Sequence, residues 1–286
     1  MSLTDKLKIL AISGALAINH PLASKADLVA YWNFDEGFDN IVYDSSGNGN
    51  NGTLQGTTSW TTNGISNNAL NFNAEGSYVL VPYSSSIGEL PEVRLEAWVK
   101  RNSNTGGMII SKNGPYYLSI RDNKIEGGVY AGEGWGEIRG ITELEIDKWY
   151  KIAMSYDKSH IKVYLNELED ALIPKTGDIL VTGQNLYIGF GQPGHDQYFD
   201  GIIDEVKIYN SANVPLPYFT NISRTDDNIV LQVNTINSQL YMLESSTNLS
   251  SWQNITNFVG ELNTNLTEIV LPAQTENRKF YRIKSL

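Results

Sequence analysis

From Leu28 onward the chain is written in short apolar runs, each closed by a cluster of glycine, asparagine, aspartate or proline. Runs such as SYVLVPYS (Ser77–Ser84), VRLEAWVK (Val93–Lys100), WYKIAMSY (Trp149–Tyr156) and IIDEVKIY (Ile202–Tyr209) alternate with GNGNNG, NGP, DNK, AGEGWG and GQPGHD. In HIKVYLN the period is two: Ile161, Val163 and Leu165 share one face, Lys162 and Tyr164 the other. That period belongs to an extended strand with one buried side. Glycine adopts the left-handed conformations of tight turns and asparagine tolerates them, so the clusters read as turns between strands. A chain of this texture buries its apolar positions by packing sheets, which predicts an all-β sandwich or barrel. No repeat of fixed period is present, and no convincing helix follows the first residues.

The two ends read differently. Lys6 and Lys8 precede an apolar run from Ile9 to Ile18, and Ser24-Lys25-Ala26 has the small-x-small form of a cleavage site. Residues 1–26 therefore read as a secretory signal peptide, too short to hold a bilayer as an anchor. No later stretch is apolar for long enough to span one, so the expected location is secreted or at the cell surface. Near Ser211 to Pro217, NVPLP marks a linker. It divides the remainder into 27–212 and 213–286. With no cysteine among 286 residues, disulfides, thiolate metal sites and cysteine nucleophiles are excluded. A formal net charge of -11 repels phosphate backbones and anionic lipid, which argues against nucleic acid or membrane as the partner.

Eight blocks stand in order along the larger segment: AYWNFDEG (Ala30–Gly37), DSSGNGNNGTL (Asp44–Leu54), GISNNALNFN (Gly64–Asn73), SYVLVP (Ser77–Pro82), LEAWVK (Leu95–Lys100), DKWYKIAMSYD (Asp147–Asp157), IKVYLNE (Ile161–Glu167) and FDGIIDEVKIYN (Phe199–Asn210). Through them, residues 28 to about 212 resemble the laminin-G-like, concanavalin-A-like jelly-roll domains of secreted proteins. Glu167 departs from the pattern, where glycine is common. The resemblance implies two antiparallel sheets packed face to face, a frequent calcium site, and binding of glycans or proteins. After the linker, YMLESSTNLSSWQNI (Tyr241–Ile255) and RKFYRIKS (Arg278–Ser285) resemble a small fibronectin-III-like β-sandwich of bacterial secreted proteins, a spacing or presenting module.

Calcium is the cofactor this reading expects. In IIDEVKIY, strict alternation places Asp204 with Ile202, Val206 and Ile208 on the apolar face, where a carboxylate needs a cation or hydrogen bonds. The loop DSSGNGNNG offers Asp44 and Asn50 as oxygen ligands, and calcium takes six to eight oxygens. Within the family the first and last strands lie close, so the resemblance lets Asp44, Asn50 and Asp204 share one ion. The alternative is an Asx turn at Asp44 and a solvated strand end at Asp204.

Aromatic residues in glycine-rich loops are the candidates for a sugar platform. Trp135 and Tyr130 lie in VYAGEGWGEIRG, Tyr117 in NGPYYL, and His195 and Tyr198 in GQPGHDQYF. Core packing is the competing reading for most of them, and Trp32, Trp98 and Trp149 sit in strand motifs. ELEIDKWYK comes nearest to a glycosidase carboxylate motif but lacks the closing glutamate and falls at a turn. No Gly-x-Ser-x-Gly elbow, phosphate loop or His-Glu-x-x-His is present. The expectation is a non-catalytic binding protein for glycans or cell-surface proteins. A polysaccharide hydrolase or lyase on the same fold, and a structural surface protein without a discrete ligand, are the alternatives.

Overall fold

A computed structural model describes residues 28–74, 76–191, 197–213, 218–224, 228–234, 240–246, 253–259, 266–272 and 280–285. The signal peptide expected at 1–26 lies outside them. Contacts divide the chain into two compact units, one ending at Val214 and the other running from Pro215 to Leu286.

The first unit consists of β1 (Leu28–Trp32), β2 (Ile41–Val42), β3 (Gly52–Gln55), β4 (Ser59–Thr61), β5 (Ala69–Asn73), β6 (Tyr78–Val81), the single helical turn α1 (Ser85–Gly88), β7 (Val93–Arg101), β8 (Gly107–Lys112), β9 (Tyr116–Arg121), β10 (Lys124–Ala131), β11 (Gly134–Arg139), β12 (Trp149–Tyr156), β13 (His160–Leu165), β14 (Leu168–Pro174), β15 (Leu186–Ile188) and β16 (Asp200–Tyr209). One sheet is ordered β14-β13-β12-β7-β16-β5-β4, with β1 also paired to β16. The other is ordered β11-β10-β9-β8-β15-β6-β3-β2. All their pairings are antiparallel, the pattern of a β-sandwich jelly roll.

Alternation builds the core. Val93, Leu95, Ala97 and Val99 of β7 are buried, as are Ile152, Met154 and Tyr156 of β12. From the second sheet come Tyr116, Leu118 and Ile120 of β9, Ile125, Val129 and Ala131 of β10, and Leu186 and Ile188 of β15. Most of these belong to one continuous apolar cluster. β9, β10 and β15 thereby turn their other residues outward, whereas an irregularity in β8 leaves Ile109 and Ile110 both in the core.

Strict alternation fails at β16. Its register against β7 slips between Asp204 and Lys207, and Glu205 takes a left-handed φ of 53°. The extra residue of this bulge changes which residues face inward, so Ile203, Val206 and Ile208 line the core. Asp204 therefore does not share the face of Val206 and Ile208 that simple alternation assigns it.

On β7 and β12, the residues alternating with the core carry paired charges. Glu96 meets Arg94 at 2.5 Å and Lys151 at 3.4 Å, and Lys151 also meets Glu167 at 2.5 Å. Burial pushes the Glu96 carboxyl up, but Lys151 and Arg94 outweigh it and hold the group down at about 2.

The second unit has two three-stranded sheets. β17 (Tyr218–Arg224), β18 (Asn228–Asn234) and β21 (Leu266–Pro272) form one, in the order β17-β18-β21. β19 (Leu240–Ser246), β20 (Gln253–Val259) and β22 (Phe280–Ser285) form the other, in the order β20-β19-β22. Ile229, Leu231, Val233, Leu243, Ile269 and Tyr281 make its core. Among the described residues no helix is long and apolar enough to cross a membrane.

Gly189 turns with φ of 83°, and a Cβ there would lie 2.4 Å from the Phe72 ring. Gly189→Ala is expected to destabilise by about 2–4 kcal/mol in denaturant titration. Gly134→Ala, with open space around the added carbon, is expected to stay within about 0.5 kcal/mol of the parent. The depressed Glu96 carboxyl contributes stability above its usual pKa of 4.5, and that contribution drains away as pH falls toward 2. Glu96→Gln should abolish this part of the acid transition and cost about 3–5 kcal/mol at neutral pH, since it leaves two buried cations to share the single carboxylate of Glu167.

Candidate functional site

The outward face of the second sheet gathers the aromatic residues expected from the sequence. Tyr117 of β9 stands opposite Gly128 of β10, and Tyr130 of β10 opposite Trp135 of β11. The Trp135 ring is 5.6 Å from Tyr117 and 5.7 Å from Tyr130, edge-to-face with the latter. Gly128 makes this possible: a Cβ there would sit 2.3 Å from the Tyr117 ring, which lies over the bare backbone instead. Tyr117 is nearly buried and donates its hydroxyl to Glu137 Oε1 at 2.9 Å. Burial, followed by the Glu126 and Glu137 carboxylates, pushes that hydroxyl's pKa well up, so it remains a donor. Trp135 keeps 45% of its surface exposed, the open wall of the cluster.

Two residues further along β9 and β10 from Tyr117 and Gly128, Ser119 and Glu126 line a cavity of about 520 Å3 with Thr105, Arg121, Gln197 and Tyr198, among others. Glu126 Oε1 accepts from Arg139 at 2.9 Å and Oε2 from the Ser119 hydroxyl at 3.3 Å. Arg139 also donates to Asp122 at 2.7 Å. Arg121 comes only within 3.9 Å of Glu126, and its side chain is largely exposed. Tyr198 stacks on Phe190 with ring centres 4.5 Å apart. His195, the fifth candidate, lies outside the described residues.

The loop after β2 forms a clasp on β1. Asp44 Oδ1 accepts the backbone N–H groups of Tyr31 and Ser46, both at 2.9 Å. Its Oδ2 accepts the N–H of Asn50 at 2.9 Å and the Asn50 amide at 3.2 Å. Asn50 also donates to Val29 O, receives the Ser84 and Ser86 hydroxyls, and its carbonyl takes the Trp32 indole N–H. Asp204 is wholly buried and accepts from the N–H groups of Ile65, Ser66 and Glu205. Burial, then the neighbouring Glu205 carboxylate, push it up to about 8 against these three donors.

Comparison with known families and structures fits this architecture. A laminin-G-like family of the concanavalin A-like lectin/glucanases superfamily matches residues 73–215, half of the chain. The chain belongs to that superfamily. No curated protein matches it significantly in sequence. Among solved structures, domain 4 of AbnA, an extracellular GH43 arabinanase from Geobacillus stearothermophilus, in complex with arabinotriose, is 23% identical with a TM-score of 0.55. That match covers 67% of this chain and 96% of the other. The receptor binding domain of botulinum neurotoxin C/D mosaic serotype is 14% identical, TM-score 0.53, over 80% of this chain and 68% of its own. The botulinum neurotoxin serotype D ligand binding domain in complex with N-acetylneuraminic acid is 14% identical, TM-score 0.50, over 84% and 80%. At such identities the likeness is one of fold.

Membership in the superfamily makes calcium the group to test against the residues. Asp44 and Asn50 do come together, but each Asp44 oxygen already accepts two N–H groups. The oxygens of Asp204 are taken by a different segment, Ile65–Ser66, and by its own neighbour Glu205. Among the described residues no three His, Asp or Glu side chains converge as a cation site. As arranged, Asp44, Asn50 and Asp204 do not fit the shared oxygen shell expected of them; N–H donors occupy the lone pairs that a cation would need.

The outward face also holds rings that sequence reasoning passed over. Tyr78 of β6 and Tyr187 of β15 lie 5.9 Å apart, with Phe190 5.2 and 5.5 Å from them. The signal was available: Val79 and Val81, and Leu186 and Ile188, alternate with them and point inward.

Asp44→Ala strands four donors at the root of β1, and a loss of about 2–4 kcal/mol is expected. If the clasp is complete without metal, calorimetric unfolding will give the same midpoint in millimolar calcium and in chelator; a rise with calcium would show ligands that this geometry does not account for.

Proposed function

We propose that this chain is an exported, non-catalytic glycan-binding protein whose ligand lies on the outward face of the second sheet. The observation that carries the reading is Trp135, half open to solvent and buttressed by Tyr117 and Tyr130, on the face that also carries a cavity lined by Arg121, Glu126, Gln197 and Ser119. Flat rings take the CH faces of a sugar, and side chains of both hydrogen-bonding senses take its hydroxyls. The AbnA domain in complex with arabinotriose and the toxin domain in complex with N-acetylneuraminic acid supply the first probes. The second unit, read as a fibronectin-III-like module, spaces or presents the first. Export is part of this reading, on the leader-like residues 1–26.

Binding is favoured over hydrolysis by how the carboxylates of this face are used. A glycosidase needs two carboxyl groups about 5–9 Å apart, free to move a proton and to attack or activate water. Here Arg139 and Ser119 engage the two oxygens of Glu126, and Tyr117 donates to Glu137.

The test is a glycan array followed by titration with arabinotriose, N-acetylneuraminic acid and the strongest array hit. Trp135→Ala should weaken binding by about tenfold or more, as loss of an aromatic anchor does, with the unfolding midpoint unchanged. Binding untouched by the substitution would move the site elsewhere. Absence of any glycan binding would leave the structural surface protein as the better account.

A further inference from the structure

The sheet face with Trp135 carries a second group of rings, and the two stand in register. Glu137, Gly128, Tyr117, Ser111, Tyr187 and Leu80 are successive partners across β11, β10, β9, β8, β15 and β6. Strands are spaced about 4.8 Å apart, so the strand of Tyr187 lies about 19 Å along the sheet from that of Trp135. Tyr187 is partly exposed, and so are Tyr78 and Tyr198. Phe190 binds them into one cluster, edge-on to Tyr187 and stacked on Tyr198.

Between Tyr117 and Tyr187 the row holds one small side chain, that of Ser111. Tyr198 belongs to the second cluster and also lines the cavity with Ser119, Arg121 and Glu126. A single sugar ring resting on Trp135 is too short to reach Tyr187. Two sets of rings on one face, with the polar side chains of Ser111, Ser119 and Glu126 among them, match a chain that offers CH faces and hydroxyls in alternation along its length.

We infer that the ligand is an extended polysaccharide, bound by an internal stretch laid across the strands, with Tyr187, Tyr78 and Tyr198 as a second stacking subsite beyond Trp135. This rests on the proposed glycan binding at the same face and narrows it from glycans in general to polymers, as opposed to terminal sugars.

Calorimetric titration of the full chain with one backbone in graded lengths tests it: arabino-oligosaccharides, or the backbone of the strongest array hit, from trisaccharide to octasaccharide. Affinity should climb about tenfold or more from the shortest to the longest, since a second aromatic anchor becomes engaged. Tyr187→Ala should remove the climb while leaving trisaccharide affinity in place. Tyr187→Phe, which keeps the ring, should preserve the climb, and Trp135→Ala should weaken every length. The wild-type length series needs no variant, so it decides the matter even if Tyr187→Ala fails to fold. Equal affinity at all lengths, or a climb that survives Tyr187→Ala, overturns the second subsite and leaves glycan binding standing. No binding at any length, with no hit on the array, removes both.

Discussion

Alternate residues of β9, β10 and β15 must enter a core shared with the first sheet, and the candidate site is what that requirement leaves on the other side. Tyr116, Leu118 and Ile120 point in, so Tyr117, Ser119 and Arg121 point out. Val129 and Ala131 point in, so Tyr130 points out beside Trp135. A slip of one residue in β10 would send Tyr130 into the core and Val129 to solvent, and the ring cluster would disappear with the register. The aromatic face is therefore held by the apolar side chains behind it more than by contacts among its own rings.

The two sheets treat charge in opposite ways. On β7 and β12, Arg94, Glu96 and Lys151 are buried and answer one another, with Glu167 completing the set. Such groups hold their geometry only as a set, because each removal leaves a stranded partner in a poor dielectric. On the second sheet Arg139 spans Glu126 and Asp122, while Arg121 extends along the cavity rim with its side chain largely in water. Groups left in water exchange their solvent contacts for those of a ligand at little cost. The first arrangement suits a fixed wall and the second a surface that binds reversibly.

The sandwich was legible from its texture alone, since runs of period two closed by glycine and asparagine have few other ways to bury themselves. Trp135, Tyr130 and Tyr117 were legible as candidates because glycines, not strand formers, surround the tryptophan. Tyr187 and Tyr78 were not, although alternation marks both as outward. Their meeting depends on β15 inserting between β8 and β6, a long-range pairing that no local pattern encodes. At Asp204 the bulge at Glu205 shifted the alternation on which its reading relied. Asp44 is ambiguous for another reason: an oxygen-rich loop looks the same in sequence whether it faces a cation or backbone N–H groups. The donors it meets come partly from Tyr31 on β1, outside the loop.

The first unit opens and closes with strands that pair with each other, Leu28 against Tyr209. As the ribosome delivers the chain, β1 emerges long before the strand it needs. Closing so long a loop is slow in any polymer, and dominance by non-local contacts lowers folding rates further. The seam between β1 and β16 can close only once nearly all of the first unit has been synthesised.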